Sequence, residues 1–187
     1  TISSCYVPHA VPSTVFRPAK TEEEKEQARG VREQILNSSI ELKNPKKKIF
    51  FWNSRNARRK QSGTLVWWFK EFLDEVGHDK ATLLMHTDPR DPHGQDLPHL
   101  IEHLGVADGQ VLISSNKVDA PGLASMYRAA DFTIGISDAE GFGLSTLESL
   151  ACGTPIIVNM TGGLQEQVTD GKNWFGWGIQ PCSKAVI

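Results

Sequence analysis

Two short stretches gather groups that could do chemistry on a phosphorylated ligand. The first, Asn53-Ser54-Arg55-Asn56-Ala57-Arg58-Arg59-Lys60, sets four cations within six positions. Arginine can grip a phosphate through a planar fork, and lysine adds a compact point charge. The second, Ser137-Asp138-Ala139-Glu140-Gly141-Phe142-Gly143-Leu144-Ser145-Thr146-Leu147-Glu148, places two carboxylates around a glycine turn that leads into a helix. Glycine lets the backbone turn tightly and come close to a ligand. The unpaired amides at the helix start, near Gly143, Leu144 and Ser145, make an anion site suited to phosphate. Glu140 stands just ahead of that helix, and Glu148 lies about a turn and a half inside it. A carboxylate has two acceptor oxygens, which suits a pair of adjacent sugar hydroxyls.

Each feature also has a plainer reading. Taken alone, Glu140 complements the helix dipole and Glu148 is a solvated helix residue. The cation run alone is a solvated face or a nucleic-acid patch. No aromatic is interleaved with those cations, and 20 Lys+Arg against 22 Asp+Glu leave a net charge of -2. Both facts argue against nucleic acid as a partner.

The two stretches can cooperate only if the fold brings them together. Short apolar runs alternate with helical patterns along residues 49–168. Ile49-Phe50-Phe51-Trp52, residues 81–85, 111–113, 132–136 and 155–158 read as strands. Residues 62–76, 97–104, 121–130, 142–151 and 163–168 read as helices, two of them closed by Gly77 and Gly105. This alternation predicts an α/β fold, a Rossmann-like parallel sheet with helices on both faces. Ligands bind such sheets outside the carboxyl ends of the strands. The basic stretch follows the first strand and the glycine stretch follows the fourth, so both belong to that edge. Ahead of the sheet, Pro8, Pro12 and Pro18 mark extended chain. Thr21 and Glu24 then form a capping box for a helix to about Leu36. Residues 1–46 are thus a lead-in and helix, Pro45-Lys46-Lys47-Lys48 is a charged link, and residues 47–187 are the sheet domain, truncated at its C-terminal end.

Several classes are set aside. Hydrophobic residues at 39% and charged ones at 22% are those of a globular protein, not a disordered tail. No G-x-x-x-x-G-K-[ST] is present, against a P-loop. Gly141-Phe142-Gly143 begins like a dinucleotide fingerprint, but Thr146 stands at the last glycine and the stretch follows the fourth strand, against NAD(P) or FAD. Cys5, Cys152 and Cys182 form no C-x-x-C, and Cys152 reads as a small packed residue. His99 and His103 stand four apart without H-E-x-x-H around them, so no metal site is expected. Trp67 and Trp68 fit a helix face turned to the core or to another domain. No run approaches the ~18 apolar residues of a membrane span. Asn37-Ser38-Ser39 and Asn159-Met160-Thr161 match a glycosylation pattern common by chance. The start at Thr1 and the apolar end Ala185-Val186-Ile187 read as a piece of a longer protein, and a cytoplasmic location is expected.

The ordered set of motifs resembles the retaining GT-B glycosyltransferases, especially the large family four. Glu140-x7-Glu148 looks like that family's E-x7-E motif. Met126-Tyr127-Arg128-Ala129-Ala130-Asp131 resembles the stretch before it, and Leu150-Ala151-Cys152-Gly153-Thr154-Pro155-Ile156-Ile157 the helix end and strand after it. Thr161-Gly162-Gly163-Leu164-Gln165-Glu166 resembles the following glycine turn. Arg55 and Lys60 fall at the family's paired basic positions, and Val7-Pro8-His9-Ala10-Val11 to Phe16-Arg17-Pro18 resembles its lead-in to the nucleotide-binding half. The chain departs at Gln61, where the family has glycine after the lysine, and in its extra cations Arg58 and Arg59.

The resemblance implies one half of a GT-B fold that binds a nucleotide diphosphate sugar and transfers the sugar, with retention, to an acceptor. By position, Glu148 would hold the ribose, and Arg55 and Lys60, with Arg59 beside them, the diphosphate. Glu140, with Gly141 and the amides of Phe142, Gly143 and Leu144, would hold the sugar, next to Ser145. Ser114, after the third strand, is placed to line a base pocket. Arg55, Lys60 and Glu140 would carry catalysis, with no metal and no other cofactor. The acceptor is unknown, and the acceptor-binding N-terminal domain is missing; any membrane attachment would be through that domain. A GT-B-like sugar-nucleotide epimerase and a non-enzymatic nucleotide-binding module are the alternatives.

Overall fold

A computed structural model describes residues 5, 7–39, 41–42 and 44–180. Its centre is strand β1 (Lys48–Asn53), where Ile49, Phe51 and Trp52 are buried on alternate sides of the chain. On one side it pairs with β2 (Ala81–His86), which continues to β3 (Val111–Ser114). On the other it pairs with β4 (Phe132–Gly135), followed by β5 (Ile156–Asn159) and β6 (Gly176–Ile179). All five pairings are parallel, in the order β3-β2-β1-β4-β5-β6. This is a Rossmann-like doubly wound sheet, as expected.

Helices cover both faces because the strands are apolar on both. On one face α2 (Ser62–Val76) and α3 (Leu97–His103) pack Leu65, Phe69 and Ile101 against Trp52, Leu83 and Met85. On the other, α1 (Glu22–Leu36) and α4 (Ala120–Ala129) bring Ile35, Ala124 and Tyr127 onto Ile49, Phe51 and Leu84. Next to them lie α5 (Leu144–Ala151) and α6 (Leu164–Val168), the latter packing Leu164 and Val168 on Ile156 and Val158. The Thr21 and Glu24 capping box forms as read. Phe16 of the lead-in shares the α1 and α4 core, so lead-in, helix and sheet pack together.

Four points differ from the sequence reading. Strand β6 is additional; its Gly-Trp-Gly-Ile alternates glycine with apolar residues and lacks a strand's continuous signal. Arg58–Lys60 form a single 3-10 turn inside what reads as loop. Lys47 is no solvated link residue: it is 1% exposed, and its Nζ has no hydrogen-bond partner among the described residues. Burial pushes its ammonium pKa down, against the pull of Asp108 and Asp79. Trp67 and Trp68 are 51% and 47% exposed, so they are not core; the core side of α2 is Leu65, Val66, Phe69 and Leu73. Cys152 is buried, as read. Cys182 and the run 185–187 lie outside the described residues. Among the described residues no helix is long and apolar enough to cross a membrane.

Candidate active site

Strand order reverses direction between β1 and β4, so the loops leaving these two strands diverge and open a crevice beyond their carboxyl ends. Asn53 and Ser54 from the end of β1, Lys60, and Ser137, Glu140, Gly143 and Ser145 from the loop after β4 line it. The two stretches of chemical interest therefore face each other.

The basic loop is held by side chains. Asn56 is fully buried; its amide donates to the carbonyls of Gln95 at 2.7 Å and Pro89 at 3.3 Å. Its oxygen accepts from Ser62 Oγ at 2.7 Å and from the Gln95 amide at 3.3 Å. The loop after β2 is thereby fastened along the basic loop, and the Arg58 amide adds a bond to the His93 carbonyl. Gln61 takes a left-handed conformation, φ 56° and ψ 36°, between the 3-10 turn and α2. A side chain is disfavoured there, so having glutamine instead of the glycine that the resemblance implies carries a conformational cost. Gln61 also donates to Asp138 at 2.5 Å and accepts from Thr64 at 2.7 Å.

Three of the four cations are already engaged with carboxylates. Lys60 pairs with Glu140, both side chains being largely buried. Arg59 donates to the Ala139 carbonyl at 2.9 Å and reaches Glu140 at 3.5 Å. Arg55 turns the other way, to Asp91 in the loop after β2. Its Nε and Nη2 meet the two carboxylate oxygens at 2.6 and 3.1 Å, and Nη2 also meets His93 Nδ1 at 2.9 Å. That fork raises the Arg55 pKa and holds the Asp91 carboxyl well below the usual range.

The glycine loop is held by close approaches at glycines and by the Gln167 side chain. Gly143 caps α5 with φ 89°, and a Cβ there would stand 2.6 Å from Leu164. Gly162 approaches so closely that a Cβ would meet the Glu140 carbonyl oxygen at 1.8 Å. Gln167 donates to the carbonyls of Phe142 at 2.6 Å and Gly143 at 3.0 Å. The first-turn amides of α5 have no partner within the helix, and Gly143, Ser145 and Thr146 line the crevice. His9 of the lead-in sets its ring edgewise on Phe142, with centroids 4.9 Å apart.

Glu148, within α5, accepts from Tyr127 Oη at 2.8 Å; Tyr127 accepts from Asn53 Nδ2 at 2.9 Å. Burial raises the pKa of Glu148, and burial together with the Glu148 charge raises that of Tyr127. Ser114 receives or donates a bond with His86 Nδ1 at 3.0 Å and opens on a groove of about 770 Å³ between α1 and α4.

The structure therefore gathers Lys60, Glu140, Gly143 and Ser145 on one crevice, with Arg59 tied in through Glu140 and Gly141, Phe142 and Leu144 in the same loop. Glu148 connects to it through Tyr127 and Asn53; Arg55 is not among the residues that line it and pairs with Asp91, and Ser114 faces a separate groove. Sequence reasoning missed Asn53, Asn56, Asp91, Tyr127 and Gln167. Asn53 and Tyr127 had a signal, a strand end and a quoted motif. Asp91 lies in the loop that follows the strand read at residues 81–85.

A family model described as glycosyl transferases group 1 matches residues 33–186. D-inositol 3-phosphate glycosyltransferase of Paenarthrobacter aurescens is 44% identical over 77 residues, 41% of this chain and 18% of that protein. Sucrose-phosphate synthase from Thermosynechococcus elongatus has a similar structure, with TM-score 0.69 and 25% identity over 92% of this chain and 38% of that one. HepE from Anabaena, in complex with UDP and glucose, shares the fold at TM-score 0.68 and 17% identity, over 92% of this chain and 42% of its own. The chain thus spans 18% of the curated relative and about two fifths of the two solved chains. That curated relative is named as a glycosyltransferase, not as an epimerase. With the doubly wound sheet, the crevice at its switch point and a family match over most of its length, the chain belongs to the glycosyl transferases group 1 family.

Proposed function

We propose that this chain is the nucleotide-sugar-binding half of a retaining GT-B enzyme of family four. The observation that carries the reading is the meeting of Lys60, from the loop after β1, with Glu140 and the start of α5, from the loop after β4. A cation, a helix N-terminus and a carboxylate at one switch point match the parts of a nucleotide diphosphate sugar. UDP, named in the HepE complex, is such a nucleotide diphosphate.

In this reading the diphosphate enters between Lys60 and the α5 amides, with Arg55 and Arg59 at the rim. It takes Lys60 from Glu140, and Glu140 turns to the sugar hydroxyls beside the amides of Phe142, Gly143 and Leu144. Glu148 accepts from the ribose while Tyr127 holds it in place. The base lies toward Ser114 and the α1–α4 groove. As the glycosidic bond breaks, negative charge grows on the departing diphosphate, where Lys60 and the amides already stand. These groups supply the charge a divalent cation would supply elsewhere, so the reading calls for none. No carboxylate is assigned as nucleophile, and no covalent intermediate is invoked.

The acceptor site belongs to a second domain in this reading, and the enzyme works in the cytoplasm. Transfer needs the acceptor oxygen about 3–3.5 Å from the anomeric carbon, which half a cleft cannot impose. The 187-residue chain is expected to bind a nucleoside diphosphate in the micromolar to millimolar range, roughly -8 to -4 kcal/mol, and to transfer no sugar. Calorimetry with UDP, ADP, GDP and dTDP tests the first statement, and nucleotide release with a panel of acceptors tests the second. Lys60→Ala should weaken nucleoside diphosphate far more than nucleoside. Equal loss for both, or no binding of any of the four, would sink the reading.

A further inference from the structure

We propose that Asp91 is the positioning residue for Arg55, holding this exposed guanidinium ready for the diphosphate; the proposal rests on the reading of the crevice as a diphosphate site. Arg55 is 61% exposed and Asp91 only 10%. The carboxylate is thus the fixed member and the guanidinium the outward one. Asp91 is fixed in turn: its Oδ1 accepts from the His93 amide at 2.9 Å. The loop that carries it is fastened by Asn56 through Pro89 and Gln95, and by the Arg58 amide through His93.

The hydrogen-bond geometry divides the guanidinium into two parts. Asp91 takes the Nε and Nη2 edge, and His93 Nδ1 takes the second Nη2 position. No bond of Nη1 is recorded among the described residues, and its two hydrogens remain for a phosphate oxygen. The carboxylate holds the Nε–Nη2 edge and leaves the Nη1 end clear of it. An arginine tethered in this way has already given up most of its rotamer freedom, so a ligand need not order it. Asp91 would not touch the ligand. Its effect must pass through Arg55.

A double-mutant cycle separates that role from a structural one. The probes are UDP, ADP, GDP and dTDP, each measured with its nucleoside by calorimetry, and the readout is the ratio of nucleoside to diphosphate dissociation constants. Asp91→Asn is expected to lower that ratio about fivefold to tenfold while leaving nucleoside affinity unchanged, since one charge-assisted contact is lost. Arg55→Lys, which keeps charge but loses the fork, should lower it by a similar factor. Adding Asp91→Asn to Arg55→Lys should then do nothing more. Asp91→Glu, which keeps both oxygens, should recover part of the loss. Additive losses, equal weakening of nucleoside and diphosphate, or an Asp91→Asn variant with an unchanged or higher ratio would each overturn the proposal. If wild type binds none of the four diphosphates, the crevice reading itself fails and this proposal with it. If wild type binds and only the cycle is additive, the crevice reading stands and Asp91 is excluded.

Discussion

The two loops that meet at the crevice are built by different means. The loop after β1 is shaped by side chains: Asn56 is the buried staple, and Gln61 sits in a conformation unfavourable to it and is fixed by bonds to Asp138 and Thr64. The loop after β4 is shaped by missing side chains: Gly143 turns left-handed against the Leu164 side chain, and Gly162, in the loop after β5, lets its backbone lie against the Glu140 carbonyl. The first loop should therefore tolerate changes at its exposed cations and fail at one buried amide. The second should tolerate almost no added atom at Gly143 or where Gly162 lies against it, whereas Gly141 stands in open space.

The largest expected effect is at Gly162. A Cβ there would fall inside the Glu140 carbonyl, at a φ of 50° where side chains are already disfavoured. Gly162→Ala should destabilise the chain by about 4 kcal/mol, combining overpacking with left-handed strain. Urea unfolding measures it; an alanine variant as stable as wild type would show that the loop after β4 has room to relax. Asn56→Ala comes next, at about 3 kcal/mol, because it leaves the Gln95 and Pro89 carbonyls and the Ser62 hydroxyl without their partner in a buried place. If the loss is no larger than at an exposed asparagine, the side-chain staple is not what holds the basic loop.

Glu148→Gln should act on ligand rather than on fold. Losing a charge-assisted bond weakens nucleoside binding by about 1.5–3 kcal/mol, roughly tenfold to a hundredfold. Wild type and variant should differ with ribonucleotide and converge with the 2′,3′-dideoxy form. Burial raises the Glu148 pKa in the folded chain. The folded state therefore favours its protonated form, and above that pKa the ionised carboxylate detracts from stability. Glu148→Gln should then unfold at no lower urea concentration than wild type at neutral pH. Wild-type affinity should fall as pH drops through the raised pKa, at a higher pH than for an ordinary glutamate, and the Gln variant should be flat. A pH-independent wild type would detach Glu148 from the ribose.

The smallest effect is at Gln61. Gly in its place relieves about 1 kcal/mol of left-handed strain but loses two side-chain bonds of about 0.5–1 kcal/mol each. Gln61→Gly should therefore stay within about 1 kcal/mol of wild type, whereas Gln61→Ala keeps the strain, loses the bonds and should be the less stable of the two. The opposite order in urea unfolding would mean that this turn is not under strain.

What could be read from the sequence follows the same division. Strands of continuous apolar residues announced themselves, and so did the capping box, the cation run and the glycine turn, because each is a local pattern. The pairing of Lys60 with Glu140 was legible only as a consequence of strand order. Asn56, Asp91 and Gln167 were not legible, since a polar residue in a loop looks the same whether it is solvated or buried against a distant carbonyl. Lys47 shows the converse: a lysine beside two others reads as solvent-facing, and only the packing of the amino-end loops, near Asp79 and Asp108, reveals its burial. Strand β6 was lost because two of its four residues are glycine.

The strand order also dictates a sequence of events in time. On one side β1 pairs with β2, where Phe50 meets Leu83; on the other it pairs with β4, where Phe50 meets Phe132. The first contact closes a short loop and the second a much longer one, so β1-β2-β3 can assemble while the rest of the chain is still being made. The crevice cannot. Its basic wall exists early, with Arg55, Arg59 and Lys60 in place but without Glu140, and it becomes a site only when β4 docks on the open side of β1. During synthesis the emerging half-sheet therefore carries an unpaired β1 edge and, with Arg55 already paired to Asp91 of the same half, Arg59 and Lys60 without their carboxylate; docking of β4 and the loop after it supplies both partners.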